Sequence, residues 1–211
     1  MISYFKKNYI SGKRTFMMIL RRKQNKAKFL NLSSNLEIKL DLGSGPKKSY
    51  NGWTTVDFHG ADIDWDLNLA IPMNDNSVDE IYSSHLLEHL EFDSIKRLLL
   101  EIHRILIPGG EFRVCLPNAR LYLEAYFNKK HIKPIDEMYQ PALMTTNSWI
   151  DQVNYCAYMG GEHKYLFDEE NILQLLIVSG FERVQVDKFN SDYDEYLRSF
   201  DSLYVIAKKQ S

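Results

Sequence analysis

Short apolar runs separated by polar turns predict a sheet of mostly parallel strands in this chain of 211 residues. Runs of this length that end at turn residues are typical of buried strands rather than of helices. We predict strands at Glu37–Leu42, Thr54–Phe58, Asp79–Ser83 and Glu111–Leu116. Two later runs predict a closing antiparallel pair, at Phe181–Lys188 and Ser202–Lys208.

Helical periodicity appears in two of the intervals between these strands. The spacing of the apolar residues predicts a helix over Phe92–Leu106, which the Pro108-Gly109-Gly110 turn ends: Ile95, Leu98, Leu99, Ile102, Ile105 and Leu106. A second helix begins after the predicted N-cap Asp168 and continues to Val178, before Ser179-Gly180.

The segments of chain that connect the first predicted strands are too short for complete crossover helices. Only a few residues separate Gly45 from Thr54 and Phe58 from Asp66, whereas a parallel crossover needs a dozen or more. We therefore predict an α/β, Rossmann-like fold whose first helices are reduced to turns. This shortening leaves the position of the third strand open.

The first strand ends in the segment Leu40-Asp41-Leu42-Gly43-Ser44-Gly45-Pro46. Glycine permits a close backbone approach to a ligand, and an acid at the end of the next strand, Asp57, can accept hydrogen bonds from ribose hydroxyls. The dinucleotide fingerprint is absent, because Lys48 stands at its third glycine and Asp57 follows too early. The pattern therefore indicates a nucleoside site that is not of the NAD or FAD type, although a Gly-x-Gly string alone is also compatible with a simple turn.

Two longer strings make the pattern specific. They run from Ile71 to Leu90 (IPMNDNSVDEIYSSHLLEHL) and from Leu106 to Val114 (LIPGGEFRV). With the glycine turn, they resemble the class I S-adenosylmethionine-dependent methyltransferases, most of all small bacterial ones often associated with surface-polysaccharide biosynthesis. The resemblance covers about 37–117 well and 165–208 more loosely. It implies a methyltransferase domain over 37–211, preceded by an arm over 1–36 and interrupted by a substrate-recognition insertion over 118–162.

The resemblance also implies a set of contacts with S-adenosylmethionine. Gly43 and Gly45 would lie against its methionine part, and Asp41 would attract the ammonium group. Asp57 would hold the ribose, and the remaining predicted contacts, to the adenine or beside the methionine, are Phe58, Asp66, Leu67 and Ser84.

A cluster of His and Glu residues follows the fourth strand. His85, Glu88 and His89 stand at i, i+3 and i+4, so a helix would present them on one face. With His163, they resemble a Glu-x-x-Glu-His metal motif of some methyltransferases, although His85 replaces its first Glu. Three interpretations remain open: a divalent metal site, a metal-free general base, or a structural role. We assign His85 and His163 as catalytic residues without a metal.

The insertion is rich in aromatic residues, which suit sugar rings because they combine an apolar face with a polar tip: Tyr122, Tyr126, Phe127, Tyr139, Trp149, Tyr155 and Tyr158. It also carries Arg120, Lys129, Lys130 and Lys133, compatible with a nucleotide-linked acceptor. We expect O-methylation of a small-molecule or sugar hydroxyl, such as a surface glycan, a sugar nucleotide or a related precursor. The aromatic residues would otherwise pack the insertion on the sheet.

Charge is distributed unevenly along the chain, which has 26 basic and 28 acidic residues and a formal net charge of −2. No acid precedes Glu37, but nine bases do: Lys6, Lys7, Lys13, Arg14, Arg21, Arg22, Lys23, Lys26 and Lys28. This arm predicts either a helix packed on the domain or a peripheral contact with the inner face of a membrane.

Two alternative functions remain: a non-catalytic domain that binds S-adenosylmethionine, and a nucleic-acid methyltransferase that uses the basic arm. The acidic remainder of the chain argues against a broad nucleic-acid surface. Only two cysteines occur, Cys115 and Cys156, and their separation excludes a paired metal motif. We expect a cytoplasmic location on this basis.

Overall fold

A computed structural model describes residues 23–32, 36–132, 146 and 148–211. Residues 23–32 are helical and are called α1. The further helices are α2 (Phe92–Ile105), α3 (Ala119–Phe127), α4 (Ile150–Tyr158) and α5 (Glu169–Val178). The strands are β1 (Lys39–Leu42), β2 (Trp53–Asp57), β3 (Ile63–Asp64), β4 (Val78–Ser84), β5 (Leu106–Pro117), β6 (Glu182–Asp187) and β7 (Ser202–Lys208). Short 3-10 turns lie at Leu87–His89, Met159–Gly161 and Tyr196–Arg198.

The seven strands form one sheet in the order β3-β2-β1-β4-β5-β7-β6. The pairs from β3 to β5 are parallel, and β7 runs antiparallel to both of its neighbours. This confirms the predicted Rossmann-like architecture with its antiparallel C-terminal strand. The strand order reverses between β1 and β4, and a crevice at the carboxyl ends of these strands is the usual ligand site of such a sheet.

The first crossover connections are short, as the chain spacing predicts. The described residues contain no helix between β1 and β2 or between β2 and β3, and β3 has only two residues. A hydrogen bond from Trp65 N–H to Asp57 O, at 2.7 Å, holds the chain that leaves β3 beside the end of β2. The residues predicted to contact the adenine therefore reach the carboxyl edge of the sheet without a crossover helix.

The transition from α2 to β5 is sharper than the sequence predicts. The helix ends at Ile105 rather than Leu106, and the predicted Pro-Gly-Gly turn lies inside β5, where Gly109 has φ of +80°. The register with β4 shifts between Val78 and Glu80 to accommodate these residues. The Lys209 ammonium donates to the carbonyls of His103 and Leu106, at 2.8 and 2.9 Å, so it satisfies the C-terminal end of the helix.

Part of the predicted basic arm packs on the domain. Phe29 of α1 is fully buried in the main core and meets the Trp65 ring edge-on, with centroids 5.6 Å apart. Asn25 Nδ2 donates to Asp64 O at 2.7 Å. Residues 23–32 therefore cover the β3 edge of the core, as one interpretation of the arm predicts, and 1–22 lie outside the described residues. No helix in the described part of the chain is long and apolar enough to cross a membrane.

Candidate functional site

The glycine turn after β1 packs directly against the loop after β4. Gly43 has φ of +79°, and a side chain there would meet Leu86, whose Cβ lies 2.6 Å from the position of an added Cβ. Its N–H donates to Val56 O at 2.8 Å. Gly45 has φ of +69°, but no atom lies within 4 Å of the position of an added Cβ. The first glycine is therefore required by protein packing, and the second leaves room for a ligand.

Asp57 ties the glycine turn to the end of β2. Its Oδ2 accepts from Gly45 N–H at 2.8 Å, and its Oδ1 accepts from Phe58 N–H at 2.6 Å. The residue is half-buried, and the Phe58 ring is 59% exposed. A carboxylate oxygen has more acceptor capacity than these two bonds use, so Asp57 can also receive ribose hydroxyls. The exposed ring of Phe58 is available to an adenine.

Asp41 is a buried carboxyl at the same edge of the sheet. Tyr50 Oη donates to its Oδ2 at 3.1 Å. Burial raises the pKa of Asp41 to about 6, against the opposing effects of the Tyr50 hydrogen bond and of Lys47. A buried carboxylate with one neutral partner is stabilised by a cation. The ammonium of a bound methionine group fits this requirement.

The remaining predicted cofactor residues lie in different settings. Asp66 Oδ1 accepts from the backbone and side-chain N–H groups of Asn68, at 3.0 and 2.9 Å, in an Asx turn. The Leu67 side chain is buried in the main core, so only its backbone is left for adenine. Ser84 ends β4 opposite Cys115 of β5, at the carboxyl edge of the sheet.

His85 is occupied on both ring nitrogens. Its Nδ1 lies 3.2 Å from Glu88 Oε1, and its Nε2 lies 2.9 Å from Ser202 Oγ. The Ser202 hydroxyl donates to Arg198 O at 2.6 Å, so His85 Nε2 must be the donor in their contact. Burial lowers the pKa of His85, but its interactions with Cys115 and with the negative charge of Glu88 outweigh this effect and raise the pKa to about 9. His85 is therefore an imidazolium that holds Glu88.

The turn after β4 differs from the predicted helix face. Leu87–His89 form a single 3-10 turn, and His85 precedes it with φ of +51°. A non-glycine residue adopts this conformation only when its surroundings hold it there. The His85 N–H donates to Cys115 O at 2.9 Å, which anchors the residue on β5. The change of direction places His85 on one side of Glu88.

Glu88, His89 and His163 converge on the other side. The N–H groups of Lys164 and Tyr165 donate to Glu88 O at 2.7 and 3.2 Å, which brings His163 onto the turn. The rings of His89 and His163 meet edge-on, with centroids 4.8 Å apart. One ligand atom from each of the three residues lies within 4.8 Å of the others. Burial lowers the pKa of His163, although the Cys156 carbonyl and Glu88 oppose this effect.

Two residues beside the histidines were missed by the sequence analysis. Ser202 contacts His85, and Asp201 accepts a hydrogen bond from the buried Tyr122 hydroxyl. Asp201 also binds the end of β5, through a 2.8 Å bond from Asn118 N–H to its carbonyl. Asp201 directly precedes the apolar strand β7 and Ser202 is its first residue, and only this position at the start of a strand could have drawn attention to them.

The aromatic residues of the insertion divide into two groups. Tyr122 is fully buried with Cys156, and Tyr155 packs against this cluster, so both are structural. Tyr126, Phe127 and Tyr158 are substantially exposed. Tyr139 and Lys133 lie outside the described residues.

Comparisons with known proteins agree with this geometry. A family model described as "Methyltransferase domain" matches residues 36–114. An S-adenosylmethionine-dependent methyltransferase from Archaeoglobus fulgidus aligns with 95% of this chain and 99% of its own, at 15% identity and a TM-score of 0.51. The 1,6-didemethyltoxoflavin-N1-methyltransferase of Burkholderia thailandensis, solved with S-adenosylhomocysteine, aligns with 99% of this chain and 87% of its own, at 15% identity and a TM-score of 0.50. Among curated proteins, no sequence matches the chain.

The structural similarities, at such low identity, establish the fold. The family match covers the glycine turn, Asp57, the residues after β4 and the beginning of β5. The cradle formed by Gly45, Asp57, Phe58 and Asp41 fits the ribose, adenine and ammonium of the cofactor. Residues 36–114 therefore match a methyltransferase domain, within a fold that the chain shares with S-adenosylmethionine-dependent methyltransferases, and these findings support S-adenosylmethionine as its cofactor.

Proposed function

We propose that this protein methylates a hydroxyl group of a small molecule, most simply a sugar of a surface glycan, a sugar nucleotide or a related precursor. The observation that carries the proposal is the position of the histidine cluster. Leu86 packs on Gly43, so the residues that begin the cluster stand next to the turn that holds the methionine part of the cofactor. S-adenosylmethionine supplies an electrophilic methyl group on a sulfonium.

A hydroxyl acceptor gives these residues a chemical task. Because an alcohol is a weak nucleophile, its proton must be removed as the new bond forms, and an imidazole beside the acceptor suits that task. His163 takes the direct role, because its Nδ1 is bonded to Cys156 O and its Nε2 keeps a lone pair. His85 is a positioning residue, since Glu88 and Ser202 occupy its ring.

The exposed aromatic residues of the insertion support a sugar acceptor. Tyr126, Phe127 and Tyr158 offer apolar faces of the kind that sugar rings contact. We place the reaction in the cytoplasm, where sugar nucleotides are made. The nine bases that precede Glu37 favour a contact with the inner face of the membrane.

The test is a methyl-transfer assay with the full chain. Labelled S-adenosylmethionine is incubated with a panel of sugars, sugar nucleotides and their amino-sugar counterparts, and methylated products are identified by mass spectrometry. The proposal expects product from a hydroxyl compound and none at the nitrogen of its amino counterpart. Product on nitrogen alone would contradict O-methylation.

The same assay separates the alternative functions. A non-catalytic domain would bind S-adenosylmethionine but form no S-adenosylhomocysteine with any acceptor. A nucleic-acid methyltransferase would label RNA or DNA, with an affinity that falls steeply as the salt concentration rises.

A further inference from the structure

We propose that Glu88, His89 and His163 bind a divalent transition-metal ion, with zinc favoured by their donor set. Two imidazoles and one carboxylate form a three-ligand set that leaves a coordination position open for a substrate oxygen. The site deepens the proposed function, on which its catalytic consequence rests. Its existence as a metal site rests on three independent observations.

The first observation is the state of the Glu88 carboxylate. The side chain is 2% exposed, and neither oxygen has a hydrogen bond from any residue that the structure describes. Oε1 lies 3.2 Å from His85 Nδ1, but this contact does not have the geometry of a hydrogen bond. Oε2 has no hydrogen-bond partner among the described residues. The His85 imidazolium offsets part of the cost of burying this carboxylate, but neither oxygen accepts a hydrogen bond from the described residues. Glu88 can therefore accept a second cation.

The second observation is the orientation of both imidazoles. His89 Nδ1 lies 3.1 Å from Glu162 O, and His163 Nδ1 lies 2.6 Å from Cys156 O. A carbonyl can only accept, so each Nδ1 carries a proton, and in the neutral form of either ring the lone pair lies on Nε2. Metal-binding histidines are typically held in this way by a backbone carbonyl or a carboxylate. Both rings are thus oriented so that Nε2 is the nitrogen left for a metal ion.

The third observation is the spacing and support of the three groups. Their ligand atoms lie within 4.8 Å of one another. Ligands about 2 Å from one ion lie about 3.3 Å apart in a tetrahedral site, so modest side-chain rotations would close the site. The hydrogen bonds from Lys164 and Tyr165 to Glu88 O hold the two segments together without using any of the ligand atoms. The backbone is therefore preorganised, and only the side chains need to adjust.

With a metal ion bound, the His163 Nε2 lone pair would be a ligand rather than the base, and the ion would assist the reaction by acidifying the acceptor hydroxyl. A hydroxyl bound at the open coordination position loses its proton to solvent water more readily. Its oxygen then bonds to the methyl carbon, and the electron pair of the broken carbon–sulfur bond stays on sulfur. The products are the methyl ether and S-adenosylhomocysteine.

The decisive experiment measures metal binding directly. The full chain is stripped with EDTA, dialysed and titrated with Zn²⁺ by calorimetry, and Co²⁺ is added separately so that its visible spectrum reports nitrogen and oxygen ligands. We expect one ion per chain. Glu88→Gln and His163→Ala should each weaken Zn²⁺ binding at least 100-fold, whereas His59→Ala, at an exposed histidine outside the cluster, should not.

Activity and cofactor binding are measured on the same samples. Stripping should abolish methyl transfer, Zn²⁺ should restore it, and the affinity for S-adenosylmethionine should not change. Absence of stoichiometric Zn²⁺ binding, or undiminished transfer by the stripped protein, would overturn the metal site and leave the proposed methyltransferase function intact. Should a variant fail to fold, the wild-type titration and the Co²⁺ spectrum still decide the question.

Discussion

The cofactor end and the histidine end of the site are built in different ways. At the cofactor end, Asp41, Gly43, Gly45 and Asp57 come from two consecutive strands, and the backbone N–H groups of Gly45 and Phe58 bind Asp57. The histidine end combines residues between His85 and Ser202, with a buried carboxylate that lacks hydrogen bonds among the described residues. The predicted binding residues are therefore held mainly by backbone hydrogen bonds, whereas the residues proposed for the chemistry include a buried carboxylate without them.

The largest effect is expected from His163→Ala. In the proposed function this residue takes part in proton removal, either alone or through a metal ion, so turnover should fall by about 10² to 10⁴. Cofactor affinity should stay within about twofold, because His163 belongs only to the histidine end. Steady-state kinetics and calorimetry check this, with His59→Ala as the control. Equal losses in affinity and turnover would show that the two ends are not separable.

Gly43→Ala should cause the next largest effect, on stability. A Cβ would stand 2.6 Å from Leu86 Cβ on a backbone with φ of +79°, so the cost combines overpacking with left-handed strain. We expect a loss of about 3 kcal/mol in the free energy of unfolding. Gly45→Ala is the matched control, because Gly45 has a similar φ of +69° but no atom lies within 4 Å of the position of its added Cβ. Urea denaturation of the two variants separates packing from strain, and equal losses would contradict the packing argument.

Asp57→Ala tests the cofactor end alone. The substitution removes the acceptors predicted for the ribose hydroxyls and also the partner of the Gly45 N–H, so S-adenosylmethionine should bind more weakly by about 2 kcal/mol. Calorimetry measures the change, and Asp75→Ala, at an exposed acid paired with Arg104, is the control. Unchanged affinity in Asp57→Ala would remove this residue from the cofactor site.

The last effect concerns Asp41 and develops only above about pH 4. Because burial raises its pKa from 3.8 to about 6, the folded protein binds more protons than the unfolded chain between these pH values. Wild-type stability should therefore fall as pH rises from about 4 to 6, by the linkage between proton binding and folding. Without cofactor, Asp41→Asn should be more stable than the wild type by about 3 kcal/mol at pH 7 and nearly equal to it near pH 4.

The same variant also tests the predicted contact between Asp41 and the cofactor. Asp41→Asn should bind S-adenosylmethionine more weakly, because the ammonium loses its carboxylate. Thermal denaturation at several pH values and calorimetry at pH 7 measure the two properties. A variant that is less stable than the wild type at pH 7 would show that the Asp41 charge stabilises the protein even without the cofactor.

Much of the fold could be predicted because it depends on local patterns. The strands, the shortened crossover connections and the antiparallel end follow from apolar run lengths and from the spacing between them. The helix after Asp168 has the predicted N-cap, and Asn171 completes a capping box with it. These features depend only on residues that are close together in the sequence, so local patterns are sufficient to predict them.

The fold class, the cofactor and the residue types that follow β4 could be predicted from the sequence alone. Which of those residues form one cluster depends on the tertiary structure. A positive φ at His85 and a single 3-10 turn leave His85 in contact with Glu88 but outside the Glu88–His89–His163 cluster, and no periodicity encodes that change of direction. Ser202 contacts the ring of His85 from the far end of the chain, and Cys115 of the neighbouring strand helps to raise its pKa. Local spacing specifies strands and turns, but the environment of a side chain depends on segments that meet only after the sheet has formed.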